Sequence, residues 1–114
     1  MSTPEAKVKK MVRDVLNEFR QIVVVGKFHV DNLYQFWPVP SGFGASSLDV
    51  IATYYGRSIY IETKAPGKKP TPRQELTIAE TKAAGAIVLV IDGERGCHEL
   101  RVILQKIRDD QCRQ

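Results

Sequence analysis

Two strand-like runs, LDVIATYY at 48–55 and SIYIETK at 58–64, constrain this chain more than any other part of it. Both are rich in β-branched and aromatic residues, and they flank Gly56-Arg57, which predicts two antiparallel strands joined by a tight turn. If Tyr55 pairs with Ser58, paired positions keep a constant sum, so Ile51 faces Glu62 and Asp49 faces Lys64. Side chains on a strand repeat every two residues, so Glu62 and Lys64 share a face. Asp49 then lies diagonal to Glu62, on the order of 7–8 Å between backbones, a gap that one cation can bridge. The inference depends on parity: a four-residue loop preserves it, whereas a three-residue loop would send Asp49 to the opposite face.

The rest of the chain supplies a frame for that hairpin. Val8, Met11, Val12, Val15, Leu16 and Phe19 recur at three- and four-residue spacing, which predicts an amphipathic helix from about Pro4 to Arg20, capped by Ser2 or Thr3. Between Gln21 and Val39, QIVVV and LYQFWPV read as strands, and Pro40-Ser41-Gly42-Phe43-Gly44 then reads as a loop. After the hairpin, the basic, proline-rich APGKKPTP opens a helix at about Pro72, with Thr71 as cap and Gly85 as stop signal. AIVLVI is an unbroken apolar run, the pattern of a strand buried on both faces. Leu100, Ile103, Leu104 and Ile107 mark a last helix.

This order predicts an α/β fold, a single mixed β-sheet flanked by helices, formed as one domain over residues 1–114. The helix after Lys64 is a crossover, expected to be right-handed and to place AIVLVI parallel to IYIETK inside the sheet. A chain of 114 residues that is 43% hydrophobic can bury one modest core. No stretch approaches the ~20 apolar residues of a membrane span, and MSTPEAKVKKMV is charged, unlike a signal peptide, so the expectation is a soluble cytoplasmic protein. Cys97 and Cys112 are too few for a disulfide framework and lack zinc-ligand spacing, which predicts free thiols. His29 and His98 have no partner at metal-ligand spacing. A net charge of +4 suits a polyanionic partner without requiring one.

The pattern of Asp49, the Gly56-Arg57 turn, Ile-Glu62-Thr-Lys64 and a following helix carrying Gln74 resembles the PD-(D/E)xK nuclease superfamily. Together with TPEAKVK, FWPVPSGFG, the KKPTPRQ turn and AGAIVLVID, it resembles a small stand-alone virus-type replication-repair nuclease (VRR-NUC) domain over nearly the whole chain. The departures are Leu48 where such proteins usually carry proline, and a longer stretch around Gln21 to Asn32. The resemblance implies a restriction-endonuclease-like αβββαβ core and a magnesium- or manganese-dependent endonuclease of phage or prophage. Its substrate would be DNA, branched in the case of a Holliday-junction-resolvase-like enzyme. A homodimer is implied as well, with no membrane and no organic cofactor.

Under that resemblance Asp49 and Glu62 would hold Mg²⁺ or Mn²⁺, with the Thr63 carbonyl as a third oxygen. Lys64 would orient the attacking water and stabilise negative charge. Gln74 would position Lys64 or that water, and Glu5 would match the family's N-terminal acidic residue. Lys68, Lys69 and Arg73 follow the site closely enough to contact phosphates, although a basic loop is often plain surface. Lys7, Lys9, Lys10 and Arg13 form the polar face of the first helix, a solvated face that could also extend a track for the DNA backbone, and the neighbouring aromatics Phe36 and Trp37 fit core packing better than a wedge into a branched substrate. Competing readings stay open: a solvated salt bridge for the Asp49, Glu62 and Lys64 trio, a capping box at Thr71 for Gln74, and helix-dipole or capping roles for Glu5. A nickase or flap-type nuclease, or an idle DNA-binding module, would use the same framework.

Overall fold

In a computed structural model, residues 2–39 and 48–113 are described, and the expected loop at Pro40 to Gly44 lies outside them. Helix α1 (Pro4–Glu18) starts where Thr3 Oγ1 accepts the Ala6 amide at 3.1 Å, with Pro4 at the first helical position. It ends two residues before Arg20, and its apolar stripe of Val8, Val12, Val15 and Leu16 is buried. Strands β1 (Ile22–Val25), β2 (Phe28–Asp31), β3 (Leu33–Phe36), β4 (Val50–Tyr54) and β5 (Arg57–Thr63) follow. Helix α2 (Pro72–Ala83), strand β6 (Ile87–Ile91) and helix α3 (Glu94–Cys112) complete the chain.

A mixed four-stranded sheet of order β3-β4-β5-β6 forms the centre, with β6 parallel to β5 and the other pairs antiparallel. Taken with its helices, the element order α1, β3, β4, β5, α2, β6 gives the αβββαβ arrangement, with α3 appended. Two expectations need correction here. Strand β6 is the outer strand, not an inner one, and Val90 on it is 40% exposed, so the apolar run is not buried on both faces. The long stretch after Gln21 forms a separate two-stranded sheet, β1-β2, because Gly26 (φ 60) allows a two-residue turn between IVVV and FHVD.

Alternation puts the core on one face of the four-stranded sheet. Leu33, Val50, Ala52, Tyr54, Ile59, Ile61, Leu89 and Ile91 are buried there against α1 and α3, which contributes Cys97, Leu100, Leu104 and Ile107. Leu48 is buried as well, while Phe36 is 51% exposed, so of the two aromatics only Trp37 packs against the core. Cys97 and Cys112 are free thiols. Among the described residues no helix is long and apolar enough to cross a membrane.

The β4–β5 register differs from the expected one by a shift that keeps its parity. Tyr54 pairs with Arg57 and Val50 with Ile61, so the turn residues are Tyr55-Gly56 rather than Gly56-Arg57. Both have positive φ, 48° and 77°, the signature of the type I′ turn whose twist matches that of paired strands. Ile51 therefore faces Tyr60, not Glu62. Asp49, one step beyond the Val50–Ile61 pair, comes beside Glu62 directly instead of facing Lys64.

Candidate active site

Three elements converge at the end of β5. Asp49 enters β4, Glu62 and Thr63 close β5, and Lys64 continues the ladder by donating its amide to the Ile91 carbonyl at 2.9 Å. Asp49 Oδ2 accepts from the Thr63 amide and the Thr63 hydroxyl, both at 2.7 Å. Fixed by two donors on one residue, the Asp49 carboxylate cannot swing away from the strand end. The Thr63 carbonyl lies on the same strand edge as the amide that reaches Asp49, because N–H and C=O of one extended residue point the same way.

Gln74 ties the site to α2, and both roles considered for it are present. Its side chain closes a capping box, with Thr71 Oγ1 accepting the Gln74 amide at 3.2 Å and Gln74 Oε1 accepting the Thr71 amide at 2.9 Å. The same Oε1 accepts from Lys64 Nζ at 3.1 Å, and Gln74 Nε2 donates to Glu62 Oε1 at 3.0 Å. One amide thus holds the glutamate and the lysine of the E-x-K pattern in a fixed relation.

Glu62 is 2% exposed, and its Oε2 is buried without a hydrogen-bond partner. A buried carboxylate lacking full solvation favours its neutral form. Burial pushes the Glu62 carboxyl up to about 8, and the neighbouring Asp49 adds to that through its charge and the contact between the two carboxyls. Lys64 opposes the shift and the Glu5 charge reinforces it, which brings the first turn of α1 within electrostatic reach of the site. Since Thr3 is the cap and Ala6 its partner, Glu5 takes no part in a capping box.

Lys9, expected on the polar face of α1, belongs to this group. Its Nζ lies 3.7 Å from Asp49 Oδ1, and its side chain is 38% exposed. The signal was its place one helical turn after Glu5, on the same side of α1. Lys68, Lys69 and Arg73 are all exposed. The turn that carries the two lysines is closed by the Lys68 amide bonding to the Ala65 carbonyl at 2.9 Å, and Gly67 donates to Asp92 Oδ2 at 3.2 Å, pinning the turn to the end of β6. Arg73 directly precedes Gln74 at the start of α2.

The oxygens here fit a hard divalent cation. Among the described residues, Glu62 Oε2 has no hydrogen-bond partner and Asp49 Oδ1 has Lys9 Nζ at 3.7 Å, and Mg²⁺ takes one or two carboxylates with waters and substrate phosphate. Among the described residues no group of three His, Cys, Asp or Glu side chains forms a metal cage, so two carboxylates and a backbone carbonyl are the donors on offer. No family model, curated protein or solved structure matches the chain.

Proposed function

We propose that the protein is a Mg²⁺- or Mn²⁺-dependent, structure-specific DNA endonuclease. The observation that carries this reading is the buried, unpartnered Glu62 Oε2 beside Asp49, with Lys64 held to the same glutamate through Gln74. A solvated salt bridge would not bury a carboxylate oxygen without a partner, since such an atom costs about 1–3 kcal/mol or more when left unmade. A site kept at that cost in a small core points to a ligand that repays it.

Bound between Asp49 and Glu62, the cation would supply a water of lowered pKa and positive charge next to the scissile phosphate. Asp49 and Glu62 would set its position, and the Thr63 amide and hydroxyl keep Asp49 aimed. Lys64, restrained by Gln74, orients the attacking water and stabilises charge on the phosphoryl oxygens as that water adds to phosphorus. The attacking water would give up a proton to solvent as its oxygen bonds to phosphorus, the bond to the leaving sugar oxygen would break, and that oxygen would take up a proton from solvent. Lys68, Lys69 and Arg73 extend positive charge from the strand end toward flanking phosphates. As a resolvase the enzyme would act as a homodimer, because two symmetric nicks in a four-way junction need two sites related by a two-fold axis.

The test is cleavage of end-labelled four-way junction, flap, single-stranded and linear duplex DNA with Mg²⁺, Mn²⁺ or EDTA. Metal-dependent paired nicks in the junction are the expected result. Cutting confined to flaps or nicked duplex keeps the nuclease and replaces the resolvase by a trimming enzyme. Bound but intact DNA under every condition would leave an idle binding module.

A further inference from the structure

The cations of α1 are engaged in different ways. Lys10 is paired with Asp14 at 2.8 Å, and the Arg13 guanidinium lies over the Trp37 ring, 4.4 Å from its centroid. Among the described residues, Lys9 is the α1 cation within 4 Å of a carboxylate of the site. The two oxygens of that carboxylate are also held differently. Asp49 Oδ2 is fixed by the Thr63 amide and hydroxyl at 2.7 Å each, whereas Oδ1 has Lys9 Nζ at 3.7 Å, outside hydrogen-bond distance. A charge pair of that separation, with a lysine that is 38% exposed, is weak and exchangeable. Oδ1 is the Asp49 atom open to a divalent cation, so Lys9 holds the place where that cation's charge would fall. An ammonium and a divalent ion on one oxygen repel each other, and the ammonium, on its flexible four-carbon stem, is the one that can move.

Lys64 stands at the other end of the same row of contacts, which runs from Lys9 to Asp49, from Asp49 to the neighbouring Glu62, and through Gln74 to Lys64. The two lysines come from opposite sides of the sheet. Alternation turns Ile59 and Ile61 of β5 into the core with α1 and α3, so Glu62, between Ile61 and Thr63, points to the other face, where Gln74 of α2 meets it and holds Lys64. Lys9 belongs to α1, on the core side. In an in-line displacement the attacking water and the leaving oxygen lie on opposite sides of phosphorus. If Lys64 orients the water, the leaving oxygen falls on the side from which Lys9 comes.

We propose that Lys9 is a mobile catalytic cation: it holds Asp49 Oδ1 until the divalent ion takes that oxygen, and it then turns to the leaving sugar oxygen and stabilises the negative charge developing there. The inference rests on the endonuclease reading and adds a residue to it. No proton passes from Lys9. Its ammonium donates a hydrogen bond as the phosphorus–oxygen bond breaks, and the proton that the leaving oxygen takes up comes from solvent.

Two measurements on the full-length protein test it, both with Lys9→Met, which removes the charge, keeps most of the stem and suits a helix. The first needs no DNA. Mn²⁺ binding is titrated by electron paramagnetic resonance, with Lys7→Met and Lys10→Met as controls that each remove one charge from an exposed position of the same helix. Lys9→Met should bind Mn²⁺ up to about fivefold more tightly than wild type, as release of one partly exposed ion pair allows, and the controls should not. Wild-type affinity in Lys9→Met, or a rise of the same size in all three variants, overturns the exchange at Asp49. The second measurement compares cleavage, with Mn²⁺, of ordinary DNA and of DNA carrying sulfur in place of the leaving sugar oxygen at the mapped cut, because a thiolate leaves without a cation beside it. Lys9→Met should slow cleavage of the ordinary substrate about a hundredfold and that of the sulfur substrate hardly at all, while Lys64→Met stays slow on both. A Lys9→Met defect of equal size on the two substrates, or on neither, overturns the leaving-group role. Wild-type protein that cuts neither substrate ends the nuclease reading instead, and the Mn²⁺ titration then decides by itself whether Lys9 holds the cation's place.

Discussion

The β1–β2 hairpin turns through Gly26-Lys27 and the β4–β5 hairpin through Tyr55-Gly56, and although both loops have two residues, they differ in turn type and in surroundings. Positive φ at Gly26 alone fits a type II′ turn, whereas positive φ at both Tyr55 and Gly56 is type I′. In β4–β5 one face is buried outright, with Val50, Ala52, Tyr54, Ile59 and Ile61 all at 1% exposure or less. In β1–β2 the face shared by the pairs Val23–Val30 and Val25–Phe28 is wholly apolar, yet those residues are 37–60% exposed. A two-stranded hairpin without a packed face is marginal on its own. Chemistry that needs fixed geometry belongs on the first kind of hairpin, and the acidic pair is found at the end of β4–β5.

The β4–β5 hairpin should not lose its carboxylates without consequence. Asp49→Ala and Glu62→Ala should each abolish metal-dependent cleavage, and Lys64→Ala should reduce it at least about a hundredfold, with DNA affinity nearly unchanged. Turnover that survives Asp49→Ala in a junction-cleavage assay would remove the proposed metal site. The same contrast appears in stability. Ile61→Ala should cost about 2–5 kcal/mol by urea unfolding, while Val24→Ala, at 65% exposure, should stay within about 0.5 kcal/mol. Similar losses from the two would mean that β1–β2 is packed in solution against something that buries it.

A pH series sharpens the same point at Glu62. Its folded-state pKa of about 8 lies above the ordinary 4.5, so the folded protein holds this proton more tightly than the unfolded chain. The resulting stabilisation is complete below pH 4.5 and is lost as pH rises through about 8. Cation-free protein should therefore lose thermal stability across that window, and Glu62→Gln should flatten the loss. Adding Mg²⁺ or Mn²⁺ near the upper end should raise the wild-type Tm and leave that of Glu62→Gln little changed. A wild-type curve with no slope between those values would mean that Glu62 is solvated and ionised throughout.

Much of this was legible from local pattern. The antiparallel β4–β5 hairpin, the capped α2 with Gly85 at its end and the parallel β5–β6 pair all follow from turn chemistry and periodicity, signals that short sequence carries. The register missed by one pair of positions because Tyr55 occupies a left-handed conformation that side chains other than glycine, asparagine and aspartate seldom adopt. Parity survived, so the grouping of Asp49, Glu62 and Lys64 did too. Lys9 stayed hidden for a different reason. Its one local mark is the place one helical turn after Glu5, and only the packing of α1 against the sheet decides which cation meets Asp49. FHVD alternates apolar and polar residues, but four residues are too short a run for alternation alone to mark a strand.

The smallest predicted difference tests whether the two hairpins unfold together. A Cβ added at Gly26 or Gly56 meets nothing within 4 Å, so alanine at either position should cost only the left-handed backbone strain, roughly 1–2 kcal/mol. Where that cost appears depends on what each turn is coupled to. Gly56 joins strands whose side chains form the core, so Gly56→Ala should lower global stability by about that amount. Among the described residues, the β1–β2 hairpin is closed at its base by mutual Gln21–Asn32 bonds of 2.9 and 3.0 Å, and it is held to the rest of the fold by the Arg20–Asp31 pair and by Asn32 Nδ2 donating to the Tyr55 hydroxyl at 3.4 Å, with exposed strands beyond. Gly26→Ala should accordingly speed amide hydrogen exchange in β1 and β2 while global unfolding moves by less than about 0.5 kcal/mol. If both substitutions instead lower global stability equally, the outer hairpin is cooperative with the core, and its exposed apolar face does not mark it as a separately opening unit.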